Sequence, residues 1–428
     1  MKRQIIFLFC ILSAMPFRAQ IPIPASGTSG SYIIRDAFVH VGNGTVYPKG
    51  FVGFRDGKIT EVGEGTPKFN YDSLIPAAGK HVYPGFILPD NTLGLTEIDA
   101  VRASLDFTET GMVNPDVRAL IGYNPESKII PTVRTNGVLI TQAAPRGGLI
   151  SGTSSVFVLD GWNWEDAVLK EDDGIWLNWP QEKVATGWWG EPGEDEVNKK
   201  RREDLDNLAL LLKRASVYGG EFVDVKLSAL KGLITGDKRL YVNVSRAKEI
   251  KESVLFFKEL GVKQVVICGG EESHLVGDFL KQEGVPVLLS RLHSLPYRNE
   301  DHYDLPYELP VLLQKAGVLF GLSYGGDMEA MGSRNLPFLA GTAVRMGLTP
   351  EQALSAITFN TAKILGIDDR CGSLEAGKDA TLFISAGDAL DILTNQLEAA
   401  FIRGRRISLG NHQQDLYRRY LNKYGLKP

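Results

Sequence analysis

The chain has 428 residues, 43% of them hydrophobic and 23% charged, with a formal net charge of −4. That length suits one large α/β barrel with a smaller companion domain, and the weak charge excludes a broad nucleic-acid-binding surface. Past the N-terminal leader, no stretch stays apolar for the ~20 residues that a membrane-spanning helix needs.

The leader itself, MKRQIIFLFCILSAMPFRAQ, has a basic start at Lys2 and Arg3 and an apolar run from Ile5 to about Ala14. Small and polar residues around Ala19 follow. This is a secretory signal pattern. Residues 1–19 are therefore expected to be a signal peptide, and the protein to be exported to the periplasm or beyond. Cys10 goes with the leader, leaving Cys268 and Cys371. Nothing in their spacing pairs them, and Cys268, in the apolar run QVVIC, reads as a buried free thiol.

From residue 32 to 83, apolar runs broken by Gly-Asn-Gly and Asp-Gly predict a small antiparallel sheet. His40 and His81 fall in its strands and read as packed or exposed strand residues. From residue 84 to 369 the pattern changes. The runs GVLITQA, QVVICGG, VPVLLS and GVLFGLS alternate with stretches apolar at helical spacing, such as EDLDNLALLLKRASVYGG and RAKEIKESVLFFKELG. TPEQALSAITFNTAKILG reads as one helix, capped by Thr349, opened by Pro350 and followed by Gly366. This alternation predicts parallel βα units closing into a barrel. The segment ISGTSS, Ile150–Ser155, reads as a Gly/Ser loop, and the acidic pair Glu271–Glu272 as a solvated helix start. All six tryptophans lie between Trp162 and Trp189. They mark a Trp-rich insertion, residues 160–200, that either packs on the barrel or faces a ligand. Residues 370–410 return to strands, and residues 411–428 close the chain as a polar helix. The expected architecture is a distorted TIM (β/α)8 barrel plus a small composite β-sandwich domain formed by both chain ends.

Four segments carry a family resemblance: VGNGTVYPKGFVGFRDGKITEVG, AAGKHVYPGFILPDNTLGL, GGLISGTSSVFVLDG and GLTPEQALSAITFNTAKILGIDDRCGSLEAGKDATLFI. They resemble the amidohydrolase superfamily, and within it the imidazolonepropionase-like group. The resemblance implies a barrel whose strand ends hold zinc or a similar ion, which makes a hydroxide that attacks a carbon–nitrogen bond. The implied ligands are a His-x-His pair on the first strand, histidines on the fifth and sixth, and an Asp on the eighth. Here those positions fall on Asp90 and Thr92, on Asn243, on Gly269, and near Gly325. No bound metal is expected at that place. A divalent ion is expected only if Asp90, His293 and Asp327, the candidate catalytic residues, build a displaced site with Glu271.

The mouth of the barrel is expected to offer Asp90, Asn91, Thr92, Asn243, Ser245, Arg291, His293 and Tyr324 to a small-molecule or peptide ligand. Three functions compete. The first is a catalytically degenerate barrel that binds a ligand or partner. The second is an active hydrolase of amide, lactam or cyclic-amide bonds with a displaced metal. The third is a non-catalytic subunit of an intact amidohydrolase, with a homo-oligomer as the other assembly. Neither nucleic acid nor a membrane span is expected.

Overall fold

The structure, a computed structural model, describes residues 24–27, 30–184, 186–188, 191–220 and 222–427. The expected signal peptide lies outside the described residues. In chain order, β1 (Tyr32–His40), β2 (Val46–Arg55), β3 (Lys58–Glu64), β4 (Ser73–Pro76) and β5 (His81–Pro84) come first. Next are β6 (Phe86–Asn91), β7 (Val138–Ala143), β8 (Ile150–Val158) and β9 (Val168–Asn178). Four two-residue strands form two small hairpins: β10 (Lys183–Val184) with β13 (Glu196–Val197), and β11 (Gly187–Trp188) with β12 (Glu191–Pro192). Then come β14 (Arg239–Val244), β15 (Val265–Gly269), β16 (Val287–Leu289) and β17 (Phe320–Leu322). β18 (Leu382–Ser385), β19 (Leu397–Ile402) and β20 (Arg405–Ile407) end the series.

The barrel sheet has the order β17-β16-β15-β14-β9-β8-β7-β6, and the protein is a distorted TIM-like barrel with an additional β domain. Its strands β7 and β15 are buried along their whole length, as strands covered on both faces must be. The fifth, sixth and eighth strands are β14, β15 and β17, which carry or precede Asn243, Gly269 and Gly325.

Three expectations need correction here. The barrel is not purely parallel, because β8 runs antiparallel to both β7 and β9. Only residues 144–149 separate β7 from β8, with Gly147 at φ 86° and Gly148 at φ 65°. Such a link is too short for a crossover helix, which takes a dozen residues or more, and its glycines suit a tight return. The segment ISGTSS is therefore a buried strand, not a loop. The Trp-rich segment is likewise not a simple insertion. β9 is the fourth barrel strand, and Trp176 and Trp179 at its end are buried in the barrel core. Trp162 is exposed and Trp164 packs part-buried against the core.

The last expected helix is two helices, Pro350–Ala356 and Phe359–Leu365. Thr349 does form a capping box with Gln352, and Gly366 takes the left-handed position after the end. The break comes at Ile357 and Thr358, where the Thr358 hydroxyl donates back to Leu354 O at 2.7 Å. The interruption leaves Ile357 O free to accept from Ile87 N at 2.8 Å, tying the helix to β6.

Both chain ends build the companion domain as one continuous sheet, β20-β19-β18-β5-β1-β2-β3 with β4 beside β1, rather than two stacked sheets. The sheet curls over its own apolar face. Tyr32 and Phe54 meet Phe401 with ring centroids 5.6 and 5.1 Å apart, and Ile59 N donates to Lys378 O at 2.9 Å. Apolar burial across this curl binds the two ends of the chain into one core. No described helix is long and apolar enough to cross a membrane. The C-terminal helix spans His412–Tyr424 and is capped by Asn411.

Candidate functional site

The seam between the first and last barrel strands fixes the mouth. Ser323, just past β17, donates its hydroxyl to Pro89 O at 2.8 Å and Asp90 O at 3.2 Å. Asn91 donates to Tyr324 O at 3.0 Å and accepts from Leu93 N at 2.9 Å. Asn91 is fully buried, so it clamps the seam instead of facing a ligand. Asp90 sits at φ 49°, in the left-handed region. That is a costly conformation for a residue with a Cβ, and it is held here by contacts on every side. Its N–H donates to Gln142 Oε1 at 3.0 Å.

A guanidinium closes this corner. Arg146, from the short turn between β7 and β8, places one nitrogen 2.8 Å from Asp90 Oδ1 and 3.0 Å from Glu329 Oε1. The same nitrogen reaches Asp90 O at 3.1 Å. The group also lies 5.5 Å over the Trp176 ring, within cation–π range. Burial would lower the Arg146 pKa, but Asp90 and then Glu329 more than offset this and hold it above its usual value. Burial, followed by Asp90, pushes the Glu329 carboxyl up, while Arg146 and the Thr92 hydroxyl pull it back. Two buried carboxyls thus share one fixed cation.

Beneath them lies a third carboxylate, Asp173 on β9, which is fully buried. It accepts from Gln142 Nε2 at 2.8 Å, Ser154 Oγ at 2.7 Å and the Tyr241 hydroxyl at 2.6 Å. Tyr241 stacks on Trp176 at 4.7 Å, and burial, then Asp173, drives its phenol well above the ordinary value. Gln142 links the two layers, since its other end receives Asp90 N. Each buried polar atom named here finds a partner, as a low-dielectric interior demands.

The positions the resemblance marks as ligands are filled differently. Thr92 is buried against Glu329. Asn243 is exposed and donates to Asn178 Oδ1 at 3.1 Å. A Cβ on Gly269 would lie 3.2 Å from Glu271 Oε2, and one on Gly325 would lie 3.1 Å from Ser290 Oγ. The Glu271 carboxyl therefore occupies the space a sixth-strand side chain would enter. Its Oε2 is buried without a hydrogen-bond partner among the described residues. Burial, opposed by the Ser245 hydroxyl, raises its pKa. Glu271 lines a cavity of about 40 Å³ with Ser290, Arg291, Tyr297 and Leu309. Glu272, expected in solvent, is buried instead, accepting from Ala247 N at 2.9 Å and pairing with Arg298 at 2.5 Å.

The expected catalytic set does not assemble. His293 bonds Thr342 on the helix Leu336–Met346 at 2.7 Å and lines a different cavity with Phe338 and Asp388. Asp327 is exposed, and its main-chain oxygen accepts from Arg291 at 2.6 Å. Arg291 and Tyr324 do meet, with the guanidinium 4.6 Å over the ring. Among the described residues, no group of three His, Cys, Asp or Glu side chains is placed to hold a metal ion. The donors at the family positions do not fit the family's metal: they include no imidazole, and the one carboxylate, Asp90, is already paired with Arg146. Sequence reasoning missed Arg146, Glu329, Gln142 and Asp173. The available signals were a lone arginine directly after a barrel strand and an acid inside the strand that carries Trp176.

Comparison with known proteins agrees with this architecture. The family profile described as Amidohydrolase family matches residues 309–406. The amidohydrolase tasK of Hapsidospora irregularis is 25% identical over 376 residues, covering 74% of this chain but 37% of that protein. The imidazolonepropionase of Flavobacterium psychrophilum is 31% identical over 287 residues, covering 60% of this chain and 66% of the relative. An amidohydrolase from Thermotoga maritima has a similar solved structure, with TM-score 0.77, 25% identity, and coverage of 88% of this chain and 99% of that one. The chain belongs to the amidohydrolase superfamily, whose members are typically metal-dependent. It spans between about two-fifths and two-thirds of the length of these two curated relatives.

Proposed function

We propose that this protein is a catalytically degenerate amidohydrolase barrel, exported from the cell, that binds a small-molecule or peptide ligand at its mouth. One observation carries the reading: the guanidinium of Arg146 sits between Asp90 and Glu329. A guanidinium supplies positive charge to two carboxyls, as a metal would. It has no vacant coordination site, however, and does not ionise a bound water near neutral pH. The charge of the site is thereby partly offset while the hydroxide-generating step loses its agent. The exposed Asn243 amide and the Arg291–Tyr324 pair are left to recognise a ligand by hydrogen bonds and aromatic contact.

The test has two parts. Metal content is measured on protein purified without chelator, and lactam, dipeptide and cyclic-amide hydrolysis is assayed with and without added zinc or manganese. Substoichiometric metal and no turnover are the expected results. Stoichiometric metal, with turnover lost on Asp90→Asn, would overturn the reading. Export is tested by mass spectrometry of envelope and secreted fractions, where an intact Met1 counts against it.

A second reading is an active hydrolase of amide-type carbon–nitrogen bonds. The enclosed carboxyl of Glu271, raised by burial and facing a cavity, favours it. Turnover abolished by Glu271→Gln and independent of added metal would establish that reading instead.

A further inference from the structure

Away from the mouth, the companion domain and the barrel meet at a cluster that the barrel reading leaves unused. His40 Nδ1 lies 2.6 Å from Glu351 Oε1, and His40 Nε2 lies 3.0 Å from His81 Nδ1. The Tyr83 hydroxyl donates to Asp388 Oδ1 at 3.2 Å. The His40 ring lies over Tyr83 with centroids 4.3 Å apart, and edge to edge with His81 with centroids 5.3 Å apart. Together with Phe38, Leu354 and Leu390, these residues enclose a cavity of about 360 Å³.

A carboxylate only accepts, so His40 Nδ1 carries the hydrogen facing Glu351. Burial, then the neighbouring His40, lowers the His81 pKa and keeps that ring neutral. Glu351 Oε2 is buried with no partner among the described residues. Asp388 is exposed at the rim, where its Oδ1 takes Tyr83 and Leu390 N. The cavity is thus lined by two carboxylate residues, Glu351 and Asp388, between aromatic and aliphatic walls.

We propose that this cavity is a second ligand site, built for a primary ammonium group carried on an apolar or aromatic body. The positive charge answers Glu351 and Asp388, and the body packs on Phe38, Leu354 and Leu390. A carboxylate ligand would meet two like charges, and an alcohol would bring no charge to answer them.

The probe is phenethylamine, titrated calorimetrically into the purified protein near neutral pH beside 2-phenylethanol and 3-phenylpropionate. Saturable one-to-one binding of the amine alone is expected. Asp388→Asn and Glu351→Gln should each weaken it by about tenfold or more, the loss typical of one charge-assisted hydrogen bond. Glu271→Gln, in the barrel mouth, should leave the affinity unchanged. In nitrogen NMR spectra of the imidazoles, the amine should shift the His81 Nε2 resonance, a readout that needs no variant. Equal binding of the alcohol, no saturable binding, an unchanged affinity in Asp388→Asn, or loss of binding in Glu271→Gln would each overturn the site.

Discussion

The barrel mouth and the joint between the domains are both rich in ionisable groups, yet they resolve their charges in opposite ways. At the mouth, Arg146 answers Asp90 and Glu329, and Asp173 is saturated by three donors. At the joint, Glu351 pairs with His40, its second oxygen is buried without a partner among the described residues, and Glu351 and Asp388 both line a cavity. A network that satisfies itself is a structural element. A network that ends in unpaired acceptors beside a cavity is poised for a ligand. The charges at the barrel mouth meet the first condition around Asp173.

The largest expected effect comes from removing the cation at the mouth. Arg146→Ala leaves two buried carboxyls uncompensated and should cost about 4 kcal/mol of stability, as broken buried ion pairs do. Denaturant titration measures this, and adding Glu329→Gln to the same chain should restore part of the loss. If Arg146→Ala costs nothing, the mouth is not the self-satisfied network described. Asp173→Ala should cost about 3 kcal/mol, because Gln142, Ser154 and Tyr241 lose their common acceptor. Ser154→Ala, which removes a single donor, should cost about 1 kcal/mol.

Glu271 sharpens the contrast, since its carboxyl at the mouth is buried and half-satisfied. Its folded pKa is raised above the ordinary 4.5, so its contribution to stability is full below that value and is lost as pH rises through the folded pKa. Glu271→Gln should therefore stabilise the protein at pH 8 relative to wild type, with the gain vanishing near pH 4. Melting curves at the two pH values decide this, and a gain larger at acid pH would contradict it. The smallest effect belongs to the joint. His81 has a pKa lowered from 6.5 by burial and His40. Its contribution is present above about 6.5 and lost as pH falls through the lower folded value. Glu351, Asp388 and Tyr83 face the same pair and remain in place in His81→Gln, which should flatten only part of the acid loss of stability.

Much of the fold was legible because local patterns dictate it. The apolar run of β15 reads as a buried strand, and Thr349 with Gln352 forms its capping box from neighbours in sequence. The reversal of β8 was also within reach, since residues 144–149 are too few to carry a crossover. It was missed because Ser and Gly in Ile150–Ser155 resemble a loop, whereas these small side chains pair inside the barrel with Asp173 and the backbone. The split of the last helix was hidden for another reason. Its helical spacing is continuous, and only β6 gives the Ile357 carbonyl a better partner.

By itself, the sequence determined the family and the strand–helix alternation, because each depends on residues at fixed local spacing. Which charges meet at the mouth was decided only in three dimensions. Arg146 and Glu329 are 183 residues apart, and His40 and Glu351 are 311 apart. No local pattern records such pairs. Closing the barrel brings one turn beside the helix that follows the last strand, and curling the sheet sets β1 and β5 against Pro350–Ala356. Burial then makes those charges choose partners, since a carboxylate taken out of water must find a cation or a proton.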